Sequence, residues 1–418
     1  MSSPTSASAS GAPGGGIAVV GAGVVGACIA LELARRGVAV TLLDRDEPGR
    51  GCSYGNSGAI SESSVAPLAM PGVLASIPAM LADPKGPLYL PPGYLPTALP
   101  WLARFVAAAR PARVDDAAAR LAELHAGAVS KHEALAQALG VPELVLRRGH
   151  LHLYPDQAAL DGDSAAWRLR ERFGFRFERL DRDGIRALEP QVGSRYQVGV
   201  FLSDHATILN PLRYVQAIVA AGVARGARLL RQEVRSIVPT GGGRWRLGLD
   251  AGQHEADGVV VAAGAWSSGL LAPLGVHLHL ESQRGYHVQY QGGPRVVSRT
   301  VVLADRKVFV TPMEEGIRVG GTVEIGGLAR PPNRGRSEAL ESIAAETFPD
   351  LRGVPAAHWM GHRPCRPDTV PYIGPAAGHA GLWIAAGHGH LGMTDSIATA
   401  ERIAAMVTAD AEMVAAAG

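Results

Sequence analysis

The chain has 418 residues and a mass of 43.5 kDa, about twice the common domain size of 100–200 residues, which excludes a single small domain. Hydrophobic residues at 47% and charged residues at 19% allow a real core. Forty basic against thirty-eight acidic side chains leave a net charge of +2, which argues against a nucleic-acid binder. Met1 to Gly16 is Ser/Ala/Gly-rich, without the charged and apolar regions of a signal peptide, and a disordered tail is expected there. Ile17 to Val20 is too short and too β-branched for anything but a buried strand. A glycine cluster, a helix from Val24 to Arg36, a stop at Gly37 and a second strand from Val38 to Leu43 complete a βαβ unit.

From Val65 to Ala109 the apolar sequence is broken repeatedly by proline, so short helices and loops are expected and no spanning helix. Asp115 to Leu139 predicts one long helix, ended by Gly140-Val141-Pro142. The middle alternates strands (Leu151 to Tyr154, Gly199 to Leu202, Gly258 to Ala263) with helices such as Pro211 to Arg225. Leu280 to Val323 reads as several antiparallel strands, followed by a helix near Ser337 to Thr347. A last strand, Gly381 to Ala385, a glycine loop and a helix from Thr394 close the chain. The pattern predicts a parallel α/β domain assembled from start, middle and end, with a mixed antiparallel β-sheet domain inserted.

Gly21-Ala22-Gly23-Val24-Val25-Gly26 is GxGxxG between strand and helix. The first glycine permits the tight turn, the second lets backbone approach a pyrophosphate, and the third lets helix pack on strand. The helix N-terminus then offers free N–H groups to phosphate. Asp44 closes the second strand and is placed to accept from ribose hydroxyls, which disfavours a 2′-phosphate. The following loop, Gly51-Cys52-Ser53-Tyr54-Gly55-Asn56-Ser57-Gly58, replaces the prompt crossover helix of a nicotinamide dehydrogenase; it is either a flavin-lining loop or an ordinary surface loop. Ala262-Ala263-Gly264 permits close contact with a nucleotide, and Glu233-Val234 offers strand-edge backbone. Gly387-His388-Gly389-His390-Leu391-Gly392-Met393-Thr394 opens the last helix, where amides can stabilise negative charge.

Together with GHRPCRPDTVPYIG, this ordered set resembles the D-amino-acid oxidase superfamily of FAD enzymes, from about Gly16 to Ala409. Within it the chain is most similar to bacterial D-amino-acid dehydrogenases and the glycine/sarcosine oxidase-like group. The resemblance implies a Rossmann-type, glutathione-reductase-like FAD-binding domain from segments 17–85, 200–275 and 350–418. A substrate-binding domain would come from 86–199 and 276–349. It implies that Gly21, Gly23, Val25 and Gly26 hold the pyrophosphate, Asp44 and Arg45 the adenosine side, and Val234 the adenine. Ser53, Asn56 and Gly58 would touch the ribityl–flavin part, and Gly264 the phosphate side. Gly389, Leu391, Gly392 and Met393 would lie beside the pyrimidine ring. Two residues depart from the pattern: His390 stands where Thr or Ser is common, and Cys52 replaces a common Thr.

Arg363 inherits the family's carboxylate clamp, a role that suits a planar guanidinium donating two parallel hydrogen bonds. Arg366 could instead be structural, pairing with an acid such as Asp368. Tyr286, in the Arg284-Gly285-Tyr286 element, is a substrate or a core residue; His287 and Arg306 are weaker substrate candidates, and His205 and His362 are expected to pack. The cysteine that binds flavin covalently in some relatives falls at about Gly361 here, so FAD is expected to be non-covalent. Cys28, Cys52 and Cys365 are too scattered for a disulfide framework or a metal site, and a reducing, cytoplasmic setting is expected, with peripheral contact on the inner face of the membrane left open.

The implied activity is oxidation of a D-configured or cyclic amino acid, such as a proline derivative, by hydride transfer to flavin N5. The imine product hydrolyses to a 2-oxo acid and ammonia, except that a cyclic imine persists or ring-opens. The alternative is a glycine/sarcosine-type amine oxidase producing hydrogen peroxide. Only Lys85, Lys131 and Lys307 are available to assist oxygen, which favours a quinone or other electron acceptor.

Overall fold

The structure, a computed structural model, describes residues 15–71, 77–78, 80–81, 83 and 86–417. Lys85 and nearly all of the N-terminal tail lie outside the described residues. Six strands form one sheet in the order Arg228–Arg231, Val40–Asp44, Ile17–Val20, Gly258–Val261, Leu382–Ala386, Tyr372–Pro375. The first five are parallel and the sixth is antiparallel. The central strands read IAVV, VTLLD, GVVV and LWIAA, the apolar runs that a sheet covered on both faces requires. Helices Val24–Arg35, Pro211–Val223 and Gly392–Ala417 cover one face through Ile29, Leu33, Ile218 and Ile403. A three-stranded antiparallel sheet (Val234–Gly241, Arg244–Leu249, Gln253–Ala256) covers the other through Ile237, Trp245 and Leu247.

The second large sheet runs Ala357–Cys365, Glu281–Gln291, Gly316–Ile325, Val308–Met313, Thr300–Leu303, His150–Tyr154, Val198–Leu202, Glu178–Leu180, with Leu88–Tyr89 added alongside Gly316–Ile325. Strands Thr300–Leu303 and His150–Tyr154 are parallel, so the sheet is mixed. Its two faces differ in chemistry. Tyr286, Val288, Tyr290 and Val319 enter a hydrophobic core closed by helix Arg334–Thr347. The opposite face carries Gln283, His287, Gln289, Arg318 and Arg363, and it meets the loop after the second strand.

Two sequence expectations change. The long helix expected over Asp115–Leu139 is two helices, Pro111–His125 and Ala128–Ala138. Gly127, at φ 69°, turns the chain between them in the left-handed region that glycine enters without penalty. The expected segment boundaries also cut across the second sheet. Strand Ala357–Cys365, drawn into the 350–418 segment, is an edge strand of that sheet, and a boundary at 199/200 falls inside strand Val198–Leu202. In the proline-rich stretch, helix Leu95–Ala108 forms despite Pro100 in its interior.

Candidate active site

Gly21 adopts φ 109°, and a Cβ there would lie 2.4 Å from the Ala262 carbonyl oxygen. A Cβ at Gly26 would lie 1.9 Å from the Gly21 oxygen. These two glycines weld the first helix to the sheet. Gly23 differs, since a Cβ there would meet nothing nearer than Ser53 Oγ at 3.4 Å, and one at Gly264 would meet nothing within 4 Å. The space above the helix N-terminus is therefore open on the side a pyrophosphate needs. Ser53 Oγ accepts from the Val24 N–H at 2.9 Å. The Val25 and Gly26 N–H groups have no acceptor among the described residues, so this end of the helix keeps donors for phosphate.

Asp44 is fixed by its neighbours: its carboxylate accepts from the Ala22 N–H at 2.6 Å and the Asp46 N–H at 3.0 Å. Beside it the Arg45 guanidinium lies 4.2 Å over the Trp266 ring and pairs with Glu233 at 3.7 Å. Half-buried Val234 follows Glu233 in the neighbouring sheet and packs with Leu230 and Leu249 around that sheet's core.

The loop from Cys52 to Gly58 is held almost entirely by the second sheet. Cys52 Sγ donates to the His362 carbonyl at 2.9 Å. Arg318 Nη1 donates to the carbonyls of Tyr54 at 2.8 Å and Asn56 at 2.6 Å. His287 Nδ1 lies 3.2 Å from the Gly55 carbonyl, which sets the proton on Nδ1. Asn56 Oδ1 accepts from the Gly58 N–H at 2.7 Å. The Trp359 ring stacks on His287 and fills the place where a Gly55 Cβ would stand.

The glycine loop before the last helix meets the same sheet edge. Gly389 N–H donates to the Pro364 carbonyl at 2.9 Å, and Cys365 bridges His388. Leu391 and Met393 are buried, and the Met393 carbonyl is held by His132 Nε2 at 2.8 Å. Gly392 begins the helix. His388 is buried against Thr399. His390 is exposed at its surface yet closely surrounded by protein; desolvation, then the Arg363 charge, lowers its pKa to about 4.

Arg363 stands on the strand partnered with Glu281–Gln291. The pairings Gln283 with Arg363, Gly285 with Gly361 and His287 with Trp359 put these six residues on one face. Its guanidinium packs over Gly285 and donates to the Thr322 carbonyl at 2.8 Å. Among the described residues no carboxylate pairs with it, and desolvation lowers its pKa. It is half-buried, and its hydrogen bonds among the described residues go to backbone carbonyls alone. Arg366, three residues on, pairs with Asp368 at 3.3 Å and donates to the Leu278 carbonyl at 3.1 Å.

Two candidates do not join it. Tyr286 lies one residue out of phase and points into the opposite core, where its hydroxyl donates to Glu324 at 2.6 Å and accepts from the Asn333 N–H. Glu324 also pairs with fully buried Arg284 at 2.7 Å. Arg306 pairs with Asp83 and with Asp305, so its charge is met within the chain. The residue that sequence reasoning missed is Arg318, a buried cation aimed at the loop; no motif marked it.

A glycine cradle at the head of a parallel sheet, beside a second sheet that holds the loop after the second strand, has the architecture of a dinucleotide-dependent oxidoreductase. The comparisons agree. Residues 16–406 match the family described as FAD dependent oxidoreductase, DAO. A D-amino-acid oxidase of Bradyrhizobium diazoefficiens is 39% identical over 402 residues, covering 94% of each chain. D-amino acid dehydrogenase 2 of Ralstonia nicotianae is 35% identical, covering 96% of this chain and 98% of that one. Among solved structures, glycine oxidase from Geobacillus kaustophilus superposes with a TM-score of 0.73 at 22% identity, covering 94% of each chain. L-proline dehydrogenase from P. horikoshii gives 0.73 at 18% identity, over 95% of this chain and 94% of that one. The chain belongs to the DAO family of FAD-dependent oxidoreductases, and its cofactor is FAD. No helix among the described residues is long and apolar enough to cross a membrane.

Proposed function

We propose that this protein oxidises a D-amino acid, or a cyclic amino acid such as a proline derivative, and passes the electrons to a quinone or similar acceptor. The observation that carries the reading is Arg363, a half-buried guanidinium on the sheet face that meets the Cys52–Gly58 loop, with no carboxylate partner among the described residues. A substrate carboxylate supplies the missing anion through two parallel hydrogen bonds. The D-configuration is supported by the names of the curated relatives.

Gly21, Gly23, Val25 and Gly26 would hold the FAD pyrophosphate, Asp44 the ribose, and Ser53, Asn56, Gly58, Gly389, Leu391, Gly392 and Met393 the flavin side. When bound, FAD supplies a two-electron acceptor for the substrate's α-C–H bond. The chain's own contribution is orientation. Arg363 fixes the carboxylate, and Thr322 fixes Arg363. The amine must be neutral to release its α-hydrogen as hydride. An acyclic imine then takes up water and yields a 2-oxo acid and ammonia, whereas a cyclic imine persists or opens to an amino-substituted 2-oxo acid with its nitrogen retained. Nothing here requires a metal, and Tyr286, committed to Glu324, is left out of the substrate set.

The acceptor reading rests on the lysines. Lys131 pairs with Glu401 at 2.6 Å and Lys307 with Asp163 at 3.2 Å, so neither described lysine offers a free cation to nascent superoxide. The testing experiment is an anaerobic screen of D- and L-amino acids, proline derivatives and sarcosine, following flavin bleaching. Bleaching by D- or cyclic amino acids is expected. Bleaching by glycine and sarcosine alone, with hydrogen peroxide in air, transfers the protein to the amine-oxidase reading.

A further inference from the structure

We infer that Arg318 is a positioning residue that holds the FAD-contacting loop and makes cofactor placement depend on the substrate sheet. The inference rests on the cofactor reading of the Cys52–Gly58 loop. Arg318 is 6% exposed, too buried for its charge to be met by water. Its Nε donates to Gln289 Oε1 at 2.9 Å, and its Nη1 donates to the carbonyls of Tyr54 and Asn56. No carboxylate pairs with it among the described residues, and desolvation lowers its pKa to about 10. With only carbonyl oxygens and the Tyr54 ring, 5.5 Å from its guanidinium, to meet the charge, burying this cation is costly, and a hydrophobic residue would fill the same place more cheaply. What the arginine provides is a planar group whose single nitrogen Nη1 reaches both carbonyls while the Nε bond to Gln289 sets its orientation.

The surroundings strengthen the point. Between those two carbonyls, the Gly55 carbonyl is held by His287 from the adjacent strand. Three consecutive loop carbonyls, Tyr54, Gly55 and Asn56, are thus turned toward the sheet. Neither the Gly55 nor the Ser57 N–H has an acceptor among the described residues, so the loop keeps amide donors for another partner. The same rung holds orphaned donors: Gln289 Nε2 and Thr311 Oγ1, which flank Arg318 on the neighbouring strands, are buried without a partner. Strand Gly316–Ile325 therefore does two things at once. Its Arg318 side chain holds the cofactor loop, and its Gly321 and Thr322 carbonyls hold Arg363. One strand sets the spacing between cofactor loop and carboxylate clamp.

The test compares wild type with Arg318→Met and Arg318→Lys. Apo-protein is titrated with FAD, followed by flavin fluorescence and visible circular dichroism, and benzoate is then titrated as a carboxylate probe. Loss of a charge-assisted hydrogen-bond pair predicts FAD binding weakened roughly ten- to hundred-fold in Arg318→Met. Partial recovery is expected in Arg318→Lys, with a changed flavin dichroism band in both. Benzoate affinity of the FAD-loaded variants should move less than about threefold, because Arg363 keeps its own carbonyl partners. His287→Phe, which releases only the Gly55 carbonyl, provides a second, milder variant and should weaken FAD in the same direction. Unchanged FAD affinity and dichroism in folded Arg318→Met overturns the inference. Wild-type apo-protein that fails to bind FAD overturns the cofactor reading instead.

Discussion

Arg363 donates to the carbonyl of Thr322 at 2.8 Å, and Thr322 itself sits at φ 57°, in the left-handed region that a β-branched residue rarely enters. Its hydroxyl is buried without a partner. A strained, under-satisfied residue that aims the carboxylate clamp is the kind of local cost that structures keep at working sites. Thr322→Gly relieves the backbone and loosens the aim. We predict raised stability by about 0.5–1 kcal/mol with a lowered rate of flavin reduction, checked by urea unfolding and anaerobic stopped flow. A variant that gains stability and loses nothing in rate makes Thr322 irrelevant to positioning.

Gly23 and Gly26 separate cofactor binding from folding. Gly23→Val should fold, since the nearest atom to its Cβ is Ser53 Oγ at 3.4 Å, yet it fills the space left for pyrophosphate. Colourless, folded protein is expected on purification. Gly26→Ala instead drives a methyl to 1.9 Å from the Gly21 oxygen and should cost about 3 kcal/mol of stability or prevent folding. A yellow, fully loaded Gly23→Val moves the pyrophosphate elsewhere.

The cofactor side was legible in the sequence because its signals are local. GxGxxG, the acid ending the next strand and the small-residue strand ends each lie within a few positions of the element that uses them. Arg363 was legible only through a motif. Tyr286 stayed open between substrate and core because strand parity decides which sheet face a residue meets, and parity depends on register with a partner strand far along the chain. Arg318 was invisible for the same reason: its partners, Tyr54 and Asn56, are more than two hundred residues away. The helix break at Gly127 was masked by the strongly helical sequence on either side.

Acid should destabilise the protein through its buried histidines. His150 Nε2 donates to the Ala206 carbonyl at 2.9 Å, and His205 Nδ1 donates to His150 Nδ1 at 3.1 Å, an arrangement of two neutral rings. Desolvation lowers the His150 pKa to about 4 and His205 well below its usual value. The unfolded chain binds these protons near pH 6.5 and the folded one does not, so stability falls as pH drops below 6.5. His150 alone contributes a loss of about 2 kcal/mol by pH 5. Urea unfolding at pH 7, 6 and 5 measures the slope, which should be shallower in His150→Gln. Equal slopes would show that His150 is protonated in the folded state.

The electron acceptor follows from the paired lysines. Substrate-reduced enzyme mixed with a soluble quinone should reoxidise at least about tenfold faster than in air-saturated buffer, because both described lysines are paired and neither offers a mobile ammonium to superoxide. Stopped-flow absorbance resolves both rates, and equal rates mean an oxidase.

The most direct test of the central claim is the anaerobic reductive half-reaction of Arg363 variants with a D-amino acid that bleaches the wild-type flavin. Loss of the carboxylate partner predicts that kred/Kd falls in Arg363→Ala by the equivalent of about 3–5 kcal/mol, with FAD still bound. Arg363→Lys should recover only part, since a point charge cannot form the fork. An alanine variant that is yellow and reduced at the wild-type rate would contradict the account and place the substrate carboxylate on another residue.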